Sequence, residues 1–184
     1  TPVLVTESGR ALTAHHSVLI VPVLGAHPKD DPNQDLTVNE NAAEPVHALN
    51  KILTTLPKTR KQLELLEAYH DANESLEEVR QLFTLGYLPL AERALAESLY
   101  WRICTGLLKA LKRNNPDSSR PEIIELEDKL TELYLCDFSV FQSIPDSWAV
   151  DQLFPIMPIH RLGEEPTRDA VLADLTCDSD GKVD

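Results

Sequence analysis

Apolar residues recur every three or four positions through the middle of the chain, and this spacing predicts amphipathic α-helices. We expect four helices, over Glu44–Leu56, about Thr59–Leu85, about Pro89–Lys112, and from Pro121 to the apolar position Leu133. Gly86 and the run Asn114-Asn115-Pro116 are typical helix stops, and Pro121 suits a first helical turn. Four amphipathic helices with short connections favour a four-helix bundle.

Both ends of the chain carry shorter patterns that favour β-strands. Val, Ile, Leu and Phe are concentrated or alternate in four stretches, which are Pro2–Thr6, Ala14–Leu24, Phe138–Gln142 and Ala170–Thr176. So few strands cannot build a sheet core of useful size alone. They are typical of the edges of a β-rich domain that a helical bundle interrupts.

The predicted fold class is therefore mainly α, a four-helix-bundle insertion flanked by β-segments of a β-domain. We expect four segments along the chain: a β-segment (1–26), a linker rich in Pro, Asp and Asn (27–43), the bundle (44–135) and a second β-segment (136–184). The length allows one ordinary domain with flanking pieces of another.

Charge and cysteine content restrict the partners and the compartment. The formal net charge of −13 repels phosphates, so nucleic acid is not an expected partner, whereas a cationic substrate suits it. No apolar run approaches the ~18 residues that cross a bilayer, so no membrane partner is expected. Three widely spaced cysteines, Cys104, Cys136 and Cys177, favour neither a disulfide framework nor a zinc motif. We expect a reducing cytoplasm, with Cys104 and Cys136 as core residues.

A first motif with chemical meaning lies near the N-terminus. Thr6-Glu7-Ser8-Gly9-Arg10 joins a carboxylate to a Gly-Arg step, which suits a charged ligand that bears a phosphate. On these residues alone an ordinary turn explains the motif equally well. His15 and His16 follow, but neighbours on a strand face opposite ways, so they do not predict a metal site.

A second motif, Leu175-Thr176-Cys177-Asp178-Ser179-Asp180-Gly181, places a thiol beside two carboxylates, which suits acid–base work on a polar substrate. The run from Asp178 to Asp184 also imitates part of a calcium loop. Thr176 would then be the first ligand, and the segment before it is strand-like rather than helical. A plain strand-end turn rich in Asp is the remaining alternative.

Three long stretches, taken in order, carry a resemblance. They are Thr6-Glu-Ser-Gly-Arg-Ala-Leu-Thr-Ala-His-His-Ser-Val-Leu-Ile, Asp137-Phe-Ser-Val-Phe-Gln-Ser-Ile-Pro-Asp-Ser-Trp-Ala-Val-Asp-Gln-Leu-Phe-Pro, and Leu175-Thr-Cys-Asp-Ser-Asp-Gly-Lys. Together they resemble the biosynthetic arginine decarboxylase family, in the alanine racemase-like class of pyridoxal-phosphate enzymes. Glu92-Arg93-Ala-Leu-Ala-Glu-Ser-Leu-Tyr100 is similar to the helical bundle inserted in that family. The likeness extends over nearly the whole chain.

The resemblance implies a role for each motif. In the family an α/β barrel carries pyridoxal phosphate and joins a β-domain. Glu7 would pair with the pyridine nitrogen, and Gly9 and Arg10 would help to hold the phosphate. In the related ornithine decarboxylases a Cys-Asp-Gly motif acts across a dimer interface, where the thiol protonates the product and the carboxylate binds the distal cation. Cys177 and Asp178 inherit these roles.

Some details of the substrate site stay open. The two residues inserted before Gly181 leave either Asp178 or Asp180 to meet the guanidinium, and Asp151 resembles another substrate-binding aspartate only loosely. The implied activity converts L-arginine to agmatine and CO2 in polyamine biosynthesis, in a homo-oligomer that shares its active site between subunits. Magnesium is implied only as a family association.

The resemblance does not include the barrel with its Schiff-base lysine. The chain also opens with Thr1-Pro2 and no initiator methionine, so we expect a fragment that is inactive alone. Two alternatives remain open. One is a decarboxylase for ornithine, lysine or diaminopimelate, and the other is a helical interaction module without catalysis.

Overall fold

The computed structural model describes residues 2–13, 16–56, 61–114, 120–152, 155–166 and 169–183. The helices in these ranges are α1 (Arg10–Thr13), α2 (Glu44–Thr55), α3 (Gln62–Thr84), α4 (Leu90–Asn114), α5 (Pro121–Leu130), α6 (Val140–Ser143) and α7 (Pro145–Val150). The strands are β1 (Val23–His27), β2 (Glu132–Cys136), β3 (Ala170–Ala173) and β4 (Lys182–Val183), and they form one sheet in the order β1-β2-β3-β4.

The chain divides into two compact units. Unit 1 comprises Thr1–Ala26, Tyr134–Ile159 and Leu172–Asp184, and unit 2 comprises His27–Leu133 and His160–Val171. Unit 2 contains the four long helices, so the predicted mainly α fold with a helical bundle is confirmed. The four segment boundaries expected from the sequence stay a prediction.

The bundle in unit 2 buries one apolar face of each long helix. Helix α4 packs against α2, α3 and α5, and α2 also packs against α3. The largest fully buried side chains of these helices are aliphatic; they include Leu49, Leu65, Leu99, Ile103, Leu107, Ile123 and Leu126. Burying each such side chain stabilises the folded state by about 1.5–3 kcal/mol relative to leaving it exposed.

The ends of these helices follow the signals in the sequence. The backbone N–H of Ala43, which precedes α2, donates to Glu92 Oε2 of α4 at 2.9 Å. This carboxylate satisfies one of the free amides at a helix start and suits the positive end of the helix dipole. Gly86 follows α3 with φ of 80°, a conformation that favours glycine. Pro121 begins α5, as expected.

Polar groups also connect the helices of the bundle. Tyr69 Oη donates to Glu125 Oε1 at 2.8 Å and accepts from Lys129 Nζ at 2.6 Å, while Tyr100 Oη donates to Asn73 Oδ1 at 2.8 Å. Burial raises the pKa of Tyr100, and it raises the pKa of the neighbouring Cys104 thiol to about 11. The hydroxyl groups of Tyr69 and Tyr100 thus have hydrogen-bond partners on other helices of the bundle.

Several strand predictions are wrong. Residues 2–8 and 17–22 have no regular secondary structure, and the strand near them is Val23–His27, while Ala14 lies outside the described residues. A strand needs a hydrogen-bonded neighbour, and the apolar side chains from Val3 to Val5 and from Val18 to Ile20 are instead exposed. The predicted strand Phe138–Gln142 overlaps helix α6, and Leu133 lies in β2 rather than in the fourth helix.

The remaining strand prediction is confirmed in part, and it positions the second motif. Strand β3 covers Ala170–Ala173 and pairs antiparallel with β4, with Leu172 opposite Val183 and Ala173 opposite Lys182. The two strands thus form a short hairpin. Its connection, residues 174–181, contains Cys177 and is called the Cys177 loop below.

Candidate functional site

The Cys177 loop is closed by backbone hydrogen bonds at its base. Asp174 N–H donates to the carbonyl of Gly181 at 2.8 Å, and Gly181 N–H donates to the carbonyl of Asp178 at 3.1 Å. Cys177, Asp178 and Asp180 are exposed, whereas Asp174 and Gly181 are buried. The loop therefore holds a thiol and two carboxylates toward solvent above a buried base.

The buried base is organised by the carboxylate of Asp174. Its Oδ1 accepts from the backbone N–H of Thr176 at 2.8 Å and from the Thr176 hydroxyl at 2.6 Å, and its Oδ2 accepts from Val140 N–H at 2.9 Å. Burial alone would raise the pKa of Asp174, but these hydrogen bonds outweigh burial and lower it. An ionised carboxylate therefore joins the loop to the start of α6.

Gly181 also lies against the carboxylate of Asp174. A Cβ at this position would lie 2.7 Å from Thr176 Oγ1 and even closer to Asp174 Oδ1. Such distances are far inside van der Waals contact, and both oxygens are fixed by hydrogen bonds. The close approach of the two ends of the loop therefore requires glycine at position 181.

The two candidate substrate carboxylates of the loop differ in the hydrogen bonds that restrain their side chains. Asp178 Oδ1 accepts the backbone N–H of Asp180 at 2.9 Å, which is the geometry of an Asx turn. The turn restricts the side chain of Asp178, whereas Asp180 contributes its backbone carbonyl, which accepts from Lys182 N–H at 2.8 Å. Asp178 is thus the more ordered of the two carboxylates.

The N-terminal motif occupies an exposed segment of unit 1. Glu7 and Gly9 are exposed, and Arg10 begins the single turn of α1, while its side chain lies outside the described residues. The carbonyl of Gly9 accepts from Leu12 N–H and from the Thr13 hydroxyl, both at 3.2 Å. Nothing lies within 4 Å of the position that a Cβ would take at Gly9, so a ligand can approach its backbone closely.

Asp151 lies at a third place in unit 1, directly after α7. It adopts a left-handed conformation with φ of 54° and ψ of 45°, and it is exposed. The structure thus brings Cys177, Asp178 and Asp180 together in one loop. In the described part of the chain, no hydrogen bond or ion pair joins Glu7 or Asp151 to that loop.

Cys104 and Cys136 are buried, as expected of core residues. His16 Nδ1 lies 2.8 Å from the carbonyl of Thr13, while His15 is outside the described residues. No group of three or more His, Cys, Asp or Glu side chains that could hold a metal ion occurs among the residues with described positions.

None of the helices described is long and apolar enough to cross a bilayer.

Sequence reasoning missed Asp174 as part of the site. The signal was present, because an aspartate two residues before a threonine can form an Asx turn with its own carboxylate. Thr176 N–H and hydroxyl use that carboxylate in this way. The contact with Val140 could not be predicted from a local pattern, because it joins residues 34 positions apart.

Comparison with known proteins first identifies the class of the bundle. Residues 39–126 match the family described as the arginine decarboxylase helical bundle domain. These residues include α2, α3 and α4 and the first part of α5. The bundle of unit 2 is therefore similar to a domain known from arginine decarboxylases.

Whole-chain relatives extend this likeness. The chain is 48% identical to the biosynthetic arginine decarboxylase of Gloeobacter violaceus over 100% of its own length and 27% of that protein. It is 46% identical to that of Phocaeicola vulgatus over 99% of its length and 28% of that protein. The crystal structure of the biosynthetic arginine decarboxylase from Campylobacter jejuni matches 88% of this chain and 24% of that one, at 35% identity and a TM-score of 0.65.

The resemblance to the biosynthetic arginine decarboxylase family is therefore confirmed. The chain is a homologue of these proteins and spans about a quarter of the length of the relatives it matches. The likeness covers the bundle and both motif-bearing segments, since the alignments include essentially every residue of the chain.

Proposed function

We propose that this chain is part of a pyridoxal-phosphate-dependent decarboxylase that converts L-arginine to agmatine and CO2 in polyamine biosynthesis. The observation that carries the proposal is the identity of nearly half of all residues, over the whole chain, with proteins named biosynthetic arginine decarboxylases. The order of a β-segment (1–26), a linker (27–43), an inserted bundle (44–135) and a second β-segment (136–184) belongs to the same proposal.

The N-terminal motif fits the cofactor in the type of groups it offers. When bound, pyridoxal phosphate supplies an electron sink for the pair released as CO2 leaves. The carboxylate of Glu7 is exposed and is suited to pair with a protonated pyridine nitrogen. Gly9 is open to close approach by a phosphate, and Arg10 supplies the opposite charge in the sequence. Magnesium has no comparable support.

The Cys177 loop fits the substrate end of the reaction. The Cys177 side chain is exposed, and a thiol there is suited to deliver a proton to the carbon that has lost CO2. The carboxylate of Asp178 can pair with a guanidinium in two parallel hydrogen bonds, which favours arginine over the shorter ornithine. We assign this pairing to Asp178 because its Asx turn restricts the side chain, with Asp180 and Asp151 as the less supported candidates.

The catalytic groups are proposed to meet between subunits of a homo-oligomer. Glu7 and Cys177 lie on separate exposed segments, and the related ornithine decarboxylases use their Cys-Asp-Gly motif across a dimer interface. Each active site would then combine Glu7, Gly9 and Arg10 of one subunit with the Cys177 loop of another.

The first experiment measures agmatine release from L-arginine by the full-length protein that contains this sequence, with pyridoxal phosphate present. Ornithine, lysine and diaminopimelate serve as competing substrates. A preference for arginine supports the proposal, and turnover of another amino acid would retain the chemistry but overturn the specificity. If none is turned over, the helical interaction module becomes the better reading.

The second experiment mixes two variants of strongly reduced activity, Glu7→Ala and Cys177→Ala, after dissociation and reassociation of the subunits. In a shared site, half of the dimers are mixed and each has one intact site, so about a quarter of wild-type activity returns. If both groups came from one subunit, every mixed dimer would stay at the residual activity of the unmixed variants. The unmixed variants, treated in the same way, provide the baseline.

A further inference from the structure

The buried carboxylate of Asp174 binds the residue that precedes the proposed proton donor Cys177. Asp174 is 5% exposed, and its oxygens accept three hydrogen bonds from two different segments of unit 1. Two of the donors belong to Thr176, the residue before Cys177. The third is the backbone amide of Val140, the first residue of α6.

The chemistry of these contacts requires two acceptor oxygens. Thr176 N–H and hydroxyl share Oδ1, while Val140 N–H uses Oδ2. An asparagine offers one acceptor oxygen and one amide group that donates, so at least one of these donors would face another donor. An alanine would leave all three donors unpaired, and a buried donor without a partner costs about 1–3 kcal/mol.

Gly181 adds a second restraint on the same carboxylate, because the backbone closes over it with no room for a Cβ. The backbone bond from Asp174 N–H to the Gly181 carbonyl then ties the two ends of the loop together. The backbone N–H and the hydroxyl of Thr176 are thus both held by hydrogen bonds to Asp174. The path of the chain into Cys177 is thereby restricted.

We propose that Asp174 is the positioning residue of the Cys177 loop: it aims the Cys177 thiol and the Asp178 carboxylate without touching the substrate. This inference rests on the proposed function for its catalytic consequence. Thr176, Val140 and Gly181 are its partners. A misplaced donor is costly in an enzyme, since an error near 1 Å can reduce the rate about 100-fold.

The test uses the full-length protein and begins with turnover of arginine. For Asp174→Ala we expect kcat/KM to fall about 10- to 100-fold. Both kcat and KM should change, because Cys177 acts in the chemical step and Asp178 in binding. Asp174→Asn should fall between alanine and wild type. Thr176→Ser keeps the hydroxyl and should retain wild-type values, whereas Thr176→Val should lose part of the rate.

A double-mutant cycle separates positioning from general damage to the fold. If Asp174 acts through Cys177, Asp174→Ala should lower kcat by less than about 3-fold when Cys177 is already alanine. An equal fall in both backgrounds would overturn the proposal. Asp71 is an exposed aspartate on α3, so Asp71→Ala is the matched control and should change neither kcat nor KM.

Alkylation of Cys177 by iodoacetamide supplies a readout that does not depend on turnover. The labelling rate is read from the peptide that contains Cys177 by mass spectrometry, and Cys104 and Cys136 of this chain are buried. We expect Asp174→Ala to change the labelling rate at least 3-fold, with Thr176→Val as the second variant if the alanine protein does not fold. An unchanged rate in a folded variant contradicts positioning. Absence of any turnover in wild type would refute the proposed function, and labelling alone would then decide the role of Asp174.

Discussion

Most apolar residues of the bundle in unit 2 are buried or partly buried, whereas most of those in the N-terminal segment of unit 1 are exposed. Leu49, Leu99 and Ile103 in the bundle are 0% exposed. In the N-terminal segment, Val3 and Val18 are 88% and 82% exposed. Both regions are rich in aliphatic side chains, so composition does not distinguish them. The difference is that the bundle has its own helices to pack against.

This contrast indicates where each region obtains its stability. The bundle buries its apolar faces within 107 consecutive residues, from His27 to Leu133. Exposed apolar runs of this kind gain nothing from the hydrophobic effect until another surface covers them. The bundle therefore has the character of a scaffold, whereas the apolar runs of the N-terminal segment have no such packing among the described residues.

The largest effect should come from removing a buried leucine of the scaffold. Leu99→Ala in the 184-residue chain should lower the free energy of unfolding by about 2–5 kcal/mol, because it leaves a cavity between the helices. The same substitution at Leu19, which is 64% exposed, should change it by less than about 0.5 kcal/mol. Urea titration followed by helical circular dichroism measures both. Equal losses at the two positions would contradict the contrast between the regions.

A smaller effect tests whether unit 1 also contains a well-packed element. Gly181→Ala places a methyl group against Asp174 and Thr176, and overpacking of this kind costs about 1–3 kcal/mol. Gly25→Ala is the matched control, since nothing lies within 4 Å of its Cβ position. Thermal unfolding of the two variants should show a loss for Gly181 alone. If Gly181→Ala were as stable as wild type, the loop would not be closed as described.

The same contrast explains which features could be predicted from the sequence. Helices α2 to α5 could be predicted because a helix that packs on its own neighbours repeats its apolar residues every three to four positions. The pattern failed at Val18–Ile20, where apolar residues do not have a strand partner. It also failed at Phe138–Gln142, where apolar alternation concealed a helical turn whose first amide donates to Asp174. Tertiary contacts override local patterns at such places.

The candidate site shows the same limit. Cys177 and Asp178 could be named from their types and order, and the structure adds that they share one exposed loop. The role of Asp174 depends on contacts with Val140 and Gly181, which no local pattern contains. Whether Glu7 and Asp151 reach the same site stays a prediction.

Within the scaffold, the buried polar contacts should contribute less than the leucines. Tyr100→Phe removes the hydroxyl that donates to Asn73 and leaves the amide oxygen without that donor. We expect a loss of about 1–2 kcal/mol in the free energy of unfolding, measured by urea titration. Tyr87→Phe, at an exposed tyrosine, should have no measurable effect. If neither Tyr100→Phe nor Tyr87→Phe changed the free energy of unfolding, solvent would have replaced the contact with Asn73.

The smallest effect compares the acid sensitivity of the two regions. Hydrogen bonds lower the pKa of Asp174 in unit 1 in spite of its burial, and Lys129 and Tyr69 lower the pKa of Glu125 in unit 2. A carboxyl group with a lowered pKa stabilises the folded state above the ordinary value near 4, and this stabilisation disappears as the pH falls through the folded pKa. Asp174 is buried whereas Glu125 is half exposed, so solvent screening weakens the contribution of Glu125.

The difference in unfolding free energy between wild type and Asp174→Asn should therefore shrink as the pH is lowered from 6 to 3, because protonation of Asp174 removes the charge that the variant already lacks. Glu125→Gln should show the same trend with a smaller amplitude, and Asp71→Asn, at an exposed position of α3, serves as the control. Urea titrations at pH 6, 4.5 and 3 measure the three variants against wild type. A difference for Asp174→Asn that stays constant over this range would mean that the carboxylate acts by shape alone. The bond to Val140 would then be replaceable by any neutral acceptor, and the distinction between the ionised base of the loop and the exposed ion pair of the bundle would be lost.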